Sequence, residues 1–146
     1  MAETGVREDP FRSFNFVVDI NGIAVAGFSE VTGLMTDGDV IEYREGTDIP
    51  LTNRKLPGLY KQSNIVLSKG KAQTRVLWEW RLAILNGRVD RRNGAVVLLD
   101  ELRQRVAEWR FENGWPVKYE APAFNAKSNE VAVEKLEIAH EGLRLR

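Results

Sequence analysis

Residues 95–111 read AVVLLDELRQRVAEWRF, and the choice between helix and strand here decides the fold. Leu98, Leu102, Val106 and Trp109 are spaced for one face of a helix. Against that, AVVLL is rich in β-formers, and the residues from Val106 to Phe111 alternate. Ala107, Trp109 and Phe111 lie opposite Glu108 and Arg110. Local pattern supports helix and hairpin equally. Under either reading Asn113-Gly114 and Pro116 end the segment.

Towards the N-terminus, residues 74–86, TRVLWEWRLAILN, form a helix. Thr74 can cap its start, and Asn86-Gly87 suits a left-handed C-terminal cap. Val76, Leu77, Trp78, Trp80, Leu82, Ile84 and Leu85 cover most of its circumference, interrupted by Arg75, Glu79 and Arg81. A surface helix of a monomer shows a stripe instead. One side is therefore expected on the protein's own sheet and the other under a second molecule.

Further upstream, SFNFVVDI (13–20) alternates cleanly, with Phe14, Phe16, Val18 and Ile20 on one face. Asn21-Gly22 follows, a hairpin signal because a type I′ turn needs positive φ at both positions. The second strand is expected over about 23–31, and DVIEYRE (39–45) alternates again. Residues 46–61 have no period and contain Gly46, Pro50, Pro57 and Gly58. They read as a loop of about 15 residues, long for a compact domain, yet carrying Leu56, Leu59 and Tyr60. NIVLS (64–68) reads as a strand. Beyond the opening segment, 117–128 is irregular around Pro122, and NEVAVEKLEIAHEGLRL (129–145) is a long strand. Val131 and Val133 on one face and Leu136 and Ile138 on the other imply a bulge, or a passage between layers. The sum is one helix and six or more strands: a mainly β, antiparallel sandwich or barrel with one flanking helix at about 74–86.

The chain has 146 residues, expected as one domain with a polar, flexible lead-in over 1–10. Lys plus Arg equals Asp plus Glu at 21 each, so there is no basic excess for a nucleic acid or membrane surface. The absence of Cys excludes disulfides and thiol chemistry. There is no signal-peptide h-region and no apolar run of spanning length, so synthesis in the cytoplasm is expected.

Chemistry is sparse. His140 is the single histidine, and a structural role suits it better than catalysis. Asp37 and Asp39 around Gly38 lack the third acidic ligand of a calcium loop. GKAQT (70–74) lacks the remainder of a phosphate loop. Arg88, Arg91 and Arg92 fit a solvated turn after a helix, and the four tryptophans fit a core or a protein interface. No catalytic, metal or cofactor site is expected. A small ligand-binding sandwich using its tryptophans is a third class of reading.

DPFRSFNFVVDINGIAVAGFSEVTGL, IEYREG, RKLPGLYKQSNIVLSKG, VDRRNG and NEVAVEKLEIAHEGL, in that order, resemble the inner tube proteins of contractile injection systems. These comprise phage tail tubes, extracellular phage-tail-like particles and, more remotely, the type VI secretion tube. The resemblance runs from Asp9 to Leu143. It implies a tail-tube-like sandwich without enzymatic activity, six copies to a ring, stacked rings, and a polar lumen for a cargo effector. The implied partners are a contractile sheath, a baseplate or hub, and tube-terminating proteins. A tube-initiating hub protein of the same family is the alternative. Residues 95–111 become a hairpin turning near Asp100–Gln104. Residues 46–61 become an arm to a neighbour, with Leu56, Leu59 and Tyr60 buried there, Arg54 and Lys55 at the rim, and Pro57 among the arm's interface candidates. Glu42 and Arg44 become candidates for the lumen or a ring interface. Arg75, Trp78, Glu79 and Arg81 become candidates for the outer helix face against the sheath.

Overall fold

The computed structural model describes residues 15–21, 28–47, 53–70, 75–124, 126–127 and 132–146. In chain order the elements are β1 (Phe16–Ile20), β2 (Phe28–Thr32), β3 (Thr36–Tyr43), β4 (Arg54–Gln62), β5 (Ile65–Gly70), α1 (Val76–Leu85), β6 (Arg92–Leu99), β7 (Arg105–Glu120), β8 (Val133–Ala139) and β9 (Gly142–Leu145). All pairings are antiparallel. Strands β1-β6-β7-β8-β5-β2 form one path, with β9 also on β7, and β3-β4 form a separate two-stranded ribbon.

Residues 95–111 are a hairpin. Val96 pairs with Trp109 and Leu98 with Ala107. The turn is built by Asp100, whose Oδ1 accepts from the backbone N–H groups of Leu102 and Gln104. Arg103 takes the left-handed position at φ 60°. The helical spacing of Leu98, Leu102 and Val106 is fortuitous, because Leu102 is 78% exposed at the turn.

Asn113-Gly114 and Pro116 do not end the segment as expected; β7 runs through them to Glu120, which also shortens the irregular stretch. Asn113 adopts φ 53°, and the strand passes here from one half of the sheet to the other. Before this point β7 pairs with β6 and β9, and after it with β8. A polar turn-former thus marks a corner between layers. The two halves close over a core of Val18, Ile20, Val96 and Phe111 from one side and Ile65, Leu67, Leu136 and Ile138 from the other. Phe111 is fully buried, and Gly94 and Gly114 flank its ring so closely that a Cβ at either would lie within 3.0 Å of it.

α1 closes this core with Leu77 and Trp80. Thr74 lies outside the described residues, and the N-cap position falls on Arg75 without a side-chain cap bond. The C-terminus ends as expected: Gly87 at φ 84° donates to the Ile84 carbonyl and Arg88 to that of Ala83.

Three further expectations change. β1 and β2 are not hairpin partners: β1 pairs with β6 and β2 with β5, because these long-range pairings bury Val18 and Ile20 against the opposite layer. Gly22 of the expected turn lies outside the described residues. Residues 46–61 are not one loop, since 54–61 of them belong to strand β4 on β3, and 48–52 lie outside the described residues. Pro57 and Gly58 sit at a bulge on an edge strand, where a missing N–H is tolerated. β8 shows no phase slip over its described residues, because Glu134, Leu136 and Ile138 share the buried face. Val131 lies outside the described residues. The break comes at His140–Glu141, where the chain leaves the β5 side to pair as β9.

Candidate assembly surfaces

The β3-β4 ribbon stands apart from the sandwich. Every residue of β3 is exposed, and so are seven of the nine in β4. Cross-strand pairs place Val40 opposite Pro57 and Ile41 opposite Leu56, one apolar pair on each face because alternate residues point to opposite sides. Leu59 and Tyr60 are 79% and 81% exposed near the base. Glu42 pairs with Lys55 and Tyr43 with Arg54 towards the tip. A two-stranded hairpin alone is marginal in water, and this one exposes apolar area on both faces. The residues expected to form an arm, Arg54, Lys55, Leu56, Pro57, Leu59 and Tyr60, lie together on strand β4 of this ribbon. Glu42 and Arg44 belong to the same ribbon and its end, not to the strands of the sandwich.

On α1, Trp78 and Leu82 are partly exposed and Leu85 is exposed, so one stripe faces outward while Leu77 and Trp80 face the core. Arg75 and Glu79 are also exposed. Arg81 departs from this group: it is half-buried and donates to the carbonyl of Pro116.

Trp78 also touches the interior. Its ring lies 5.3 Å from that of Tyr119, whose Oη donates to Glu134 Oε2 at 2.7 Å. Glu134 faces Lys69 at 3.7 Å, both side chains nearly fully buried. Burial, then the hydrogen bond to Glu134 and its negative charge, push the Tyr119 phenol up to about 12. Period-2 reading misses Glu134, since a carboxylate occupies a position where the alternation asks for an apolar residue.

Two of the arginines after α1, Arg91 and Arg92, are held by contacts within the chain. Arg92 pairs bidentately with Asp90, donates to the Asn21 carbonyl and lies 5.6 Å from the Trp80 ring. Arg91 pairs with Glu141. Trp80 Nε1 donates to the Asp90 carbonyl. His140 is buried, with Nδ1 3.1 Å from the Gly142 carbonyl and Nε2 2.9 Å from that of Ser63. It staples the β8–β9 bend to the segment before β5. Among the described residues no group of three or more His, Asp or Glu is arranged to hold a metal.

The outward faces of the sandwich carry balanced charge. On β7 and β9, Glu108 pairs with Arg105 and Arg110, and Glu112 with Arg144. On β7 and β8, Lys118 sits opposite Glu137 and Glu120 opposite Lys135. These rows were visible as the polar half of each alternation, but nothing in the sequence said that two sheets would present them.

A sandwich with a projecting ribbon, one flanking helix and charge-balanced outer faces is the shape of a tube-building subunit, and the comparisons agree. Residues 12–144 match the family of the T4-like virus tail tube protein gp19, and the chain belongs to that family. Its role is structural, as a tube protein of contractile injection systems. A chain in the PVC sheath–tube complex of an extracellular contractile injection system in the extended state shares 26% identity at a TM-score of 0.85, covering 95% of this chain and 93% of that one. A chain in the anti-feeding prophage tube-terminating cap shares 29% identity at 0.86, covering 100% and 99%. Hcp1 from Flavobacterium johnsoniae shares the fold at 16% identity and 0.56, covering 90% and 94%. Among curated protein sequences, none matches this chain.

Proposed function

We propose that this chain is the repeated subunit of the rigid inner tube of a contractile, phage-tail-like injection particle. Six copies close a ring, rings stack, and the polar lumen carries an effector that sheath contraction delivers. The single observation that carries this reading is the β3-β4 ribbon, which exposes apolar side chains on both faces and, among the described residues, pairs with no other strand. The sheet edges support a ring: among the described residues β1 bounds one side of the β1-β6-β7-β9 group and β9 the other. Head-to-tail pairing of such edges covers them and closes by rotation. Paired charges suit a lumen that lets cargo pass without adhesion. The outer stripe of α1, with Arg75, Trp78 and Glu79, is the surface offered to a sheath. The action is mechanical and needs no catalytic group. Membership of a tail tube family favours the repeated subunit over a tube initiator.

Deleting residues 53–59 tests this reading. The expected product is a folded subunit, by circular dichroism, that forms at most single rings in negative-stain micrographs while the intact chain forms tubes. Tubes of normal length from the deletion variant would refute the ribbon's role, and a stable monomer from the intact chain would refute the tube reading.

A further inference from the structure

The strand ladder is interrupted at the root of the β3-β4 ribbon, on both legs at the same level. Thr32 pairs with Val66 on the sandwich side, and Thr36 pairs with Gln62 on the ribbon side. Between these pairs lie residues 33–35 on one leg and 63–65 on the other, which do not pair with each other. On the first leg Gly33 takes φ 89°, and the Met35 N–H donates to its carbonyl at 2.9 Å, a γ-turn that breaks the run from β2 to β3. The legs touch there, since a Cβ on Gly33 would lie 2.0 Å from the Asn64 carbonyl oxygen. Two short breaks side by side at element ends are the anatomy of a hinge.

The second leg is tied to β8 and its end. Asn64 Nδ2 donates to Glu137 Oε2 over an exposed 3.4 Å. His140 is buried, and its Nε2 lies 2.9 Å from the Ser63 carbonyl. The sandwich holds the rest of that imidazole. Nδ1 lies 3.1 Å from the Gly142 carbonyl, and the ring centroid lies 6.1 Å from that of Phe111. The next residue, Glu141, donates its N–H to the Glu112 carbonyl at 2.9 Å. A fixed ring therefore bears on the segment that the ladder leaves unpaired.

We infer that residues 33–35 and 63–65 form a hinge at the root of the ribbon, and that His140 is the positioning residue that sets its angle by donating from Nε2 to the Ser63 carbonyl. β9 begins two residues beyond it, at Gly142. One side chain thus holds both the ribbon and the strand at the sheet edge. The consequence for assembly rests on the tube reading above: a subunit presents its ribbon at the stacking angle once β9 is docked.

The chain contains no cysteine, so spin labels attached at E42C and K118C report the ribbon-to-sandwich distance in dilute subunits by double electron–electron resonance. H140Q keeps an amide donor at the reach of Nε2, whereas H140N keeps one only at the reach of Nδ1. One narrow distance distribution is expected in the labelled parent and in H140Q. In H140N the population is expected to shift about fivefold towards a second distance, the weight of one hydrogen bond. Tube yield in negative-stain micrographs is expected to follow, with H140Q at the parent's level and H140N below it. A broad distribution in the parent, or an unchanged one in folded H140N, overturns the inference. Equal shifts in H140Q and H140N overturn it too, because they mark a ring that only fills space. Should H140N fail to fold, G33A decides: its Cβ must part the legs, so a displaced mean distance with native circular dichroism is expected. An unchanged distance or an unfolded chain in G33A overturns the hinge. Absence of tubes from the intact chain refutes the tube reading and leaves these distances to decide the hinge.

Discussion

Tyr119 Oη donates a 2.7 Å hydrogen bond to Glu134 Oε2, placing a phenol against a buried carboxylate beneath α1. The arrangement opposes phenolate formation, because a second negative charge would appear beside the first. Tyr119 is pushed from 10.0 up to about 12, by burial first and then by Glu134. A group whose pKa is raised on folding contributes stability that is fully present below its unfolded value and is lost as pH climbs through its folded one. The window is therefore pH 10 to about 12. Y119F should lose about 1–3 kcal/mol at neutral pH, since Glu134 loses a donor, and its stability should fall less steeply above pH 10. Urea midpoints measured from pH 8 upward check this, alongside a phenolate absorbance transition near pH 12 that Y119F lacks. An unchanged alkaline limb in Y119F would remove the phenol from the account.

Lys69 and Glu134 depend on each other. Lys69 is 3% exposed and Glu134 2%, so removing either leaves a charge without its partner in the interior. E134A is expected to cost about 3–5 kcal/mol, whereas K69M/E134L, which removes both charges at similar volume, should return to within about 2 kcal/mol of the parent. Chemical denaturation of K69M, E134L and K69M/E134L measures the coupling. Additive losses would mean that the 3.7 Å pair carries no such dependence.

Much of the fold follows from residues whose neighbours in sequence are also their neighbours in consequence. Val18 and Ile20 alternate and are buried; Asn86-Gly87 ends a helix where left-handed geometry is needed. What was not legible depends on distant partners. Asn21-Gly22 carries a strong local turn signal, yet β1 takes β6 as its partner across more than seventy residues of chain. Asn113-Gly114 looks like a terminus but turns a continuous strand between two layers, because β8 and β9 continue along β7 on either side of it. Pro57 and Gly58 look like a loop but form a bulge in a ribbon. The apolar content of Leu56, Leu59 and Tyr60 was the visible departure from an ordinary solvent loop. Glu134 was illegible because its acceptance in the core depends on Lys69 and Tyr119, sixty-five residues before it and fifteen residues before it respectively.

The turn between β6 and β7 rests on one side chain and one strained residue. Asp100 Oδ1 accepts from the N–H groups of Leu102 and Gln104 at 2.9 and 2.8 Å, and its own N–H donates to the Gln104 carbonyl. Removing the carboxylate in D100A frees two backbone donors at the surface and is expected to cost about 1–2 kcal/mol. Arg103 works in the opposite sense. At φ 60° its Cβ crowds the following carbonyl, a conformation that costs an L-residue about 1–2 kcal/mol and glycine almost nothing. R103G should therefore stabilise the chain by about 1 kcal/mol even though it removes a charge and adds backbone freedom to the unfolded state. In a chain of this length that is a rise of about 2–4 °C in Tm. The pair discriminates between turn geometry and surface charge: D100N, which keeps an acceptor oxygen, should retain most of the parent's stability. A loss of stability in R103G, or equal losses in D100N and D100A, would show that charge, not backbone geometry, holds the hairpin.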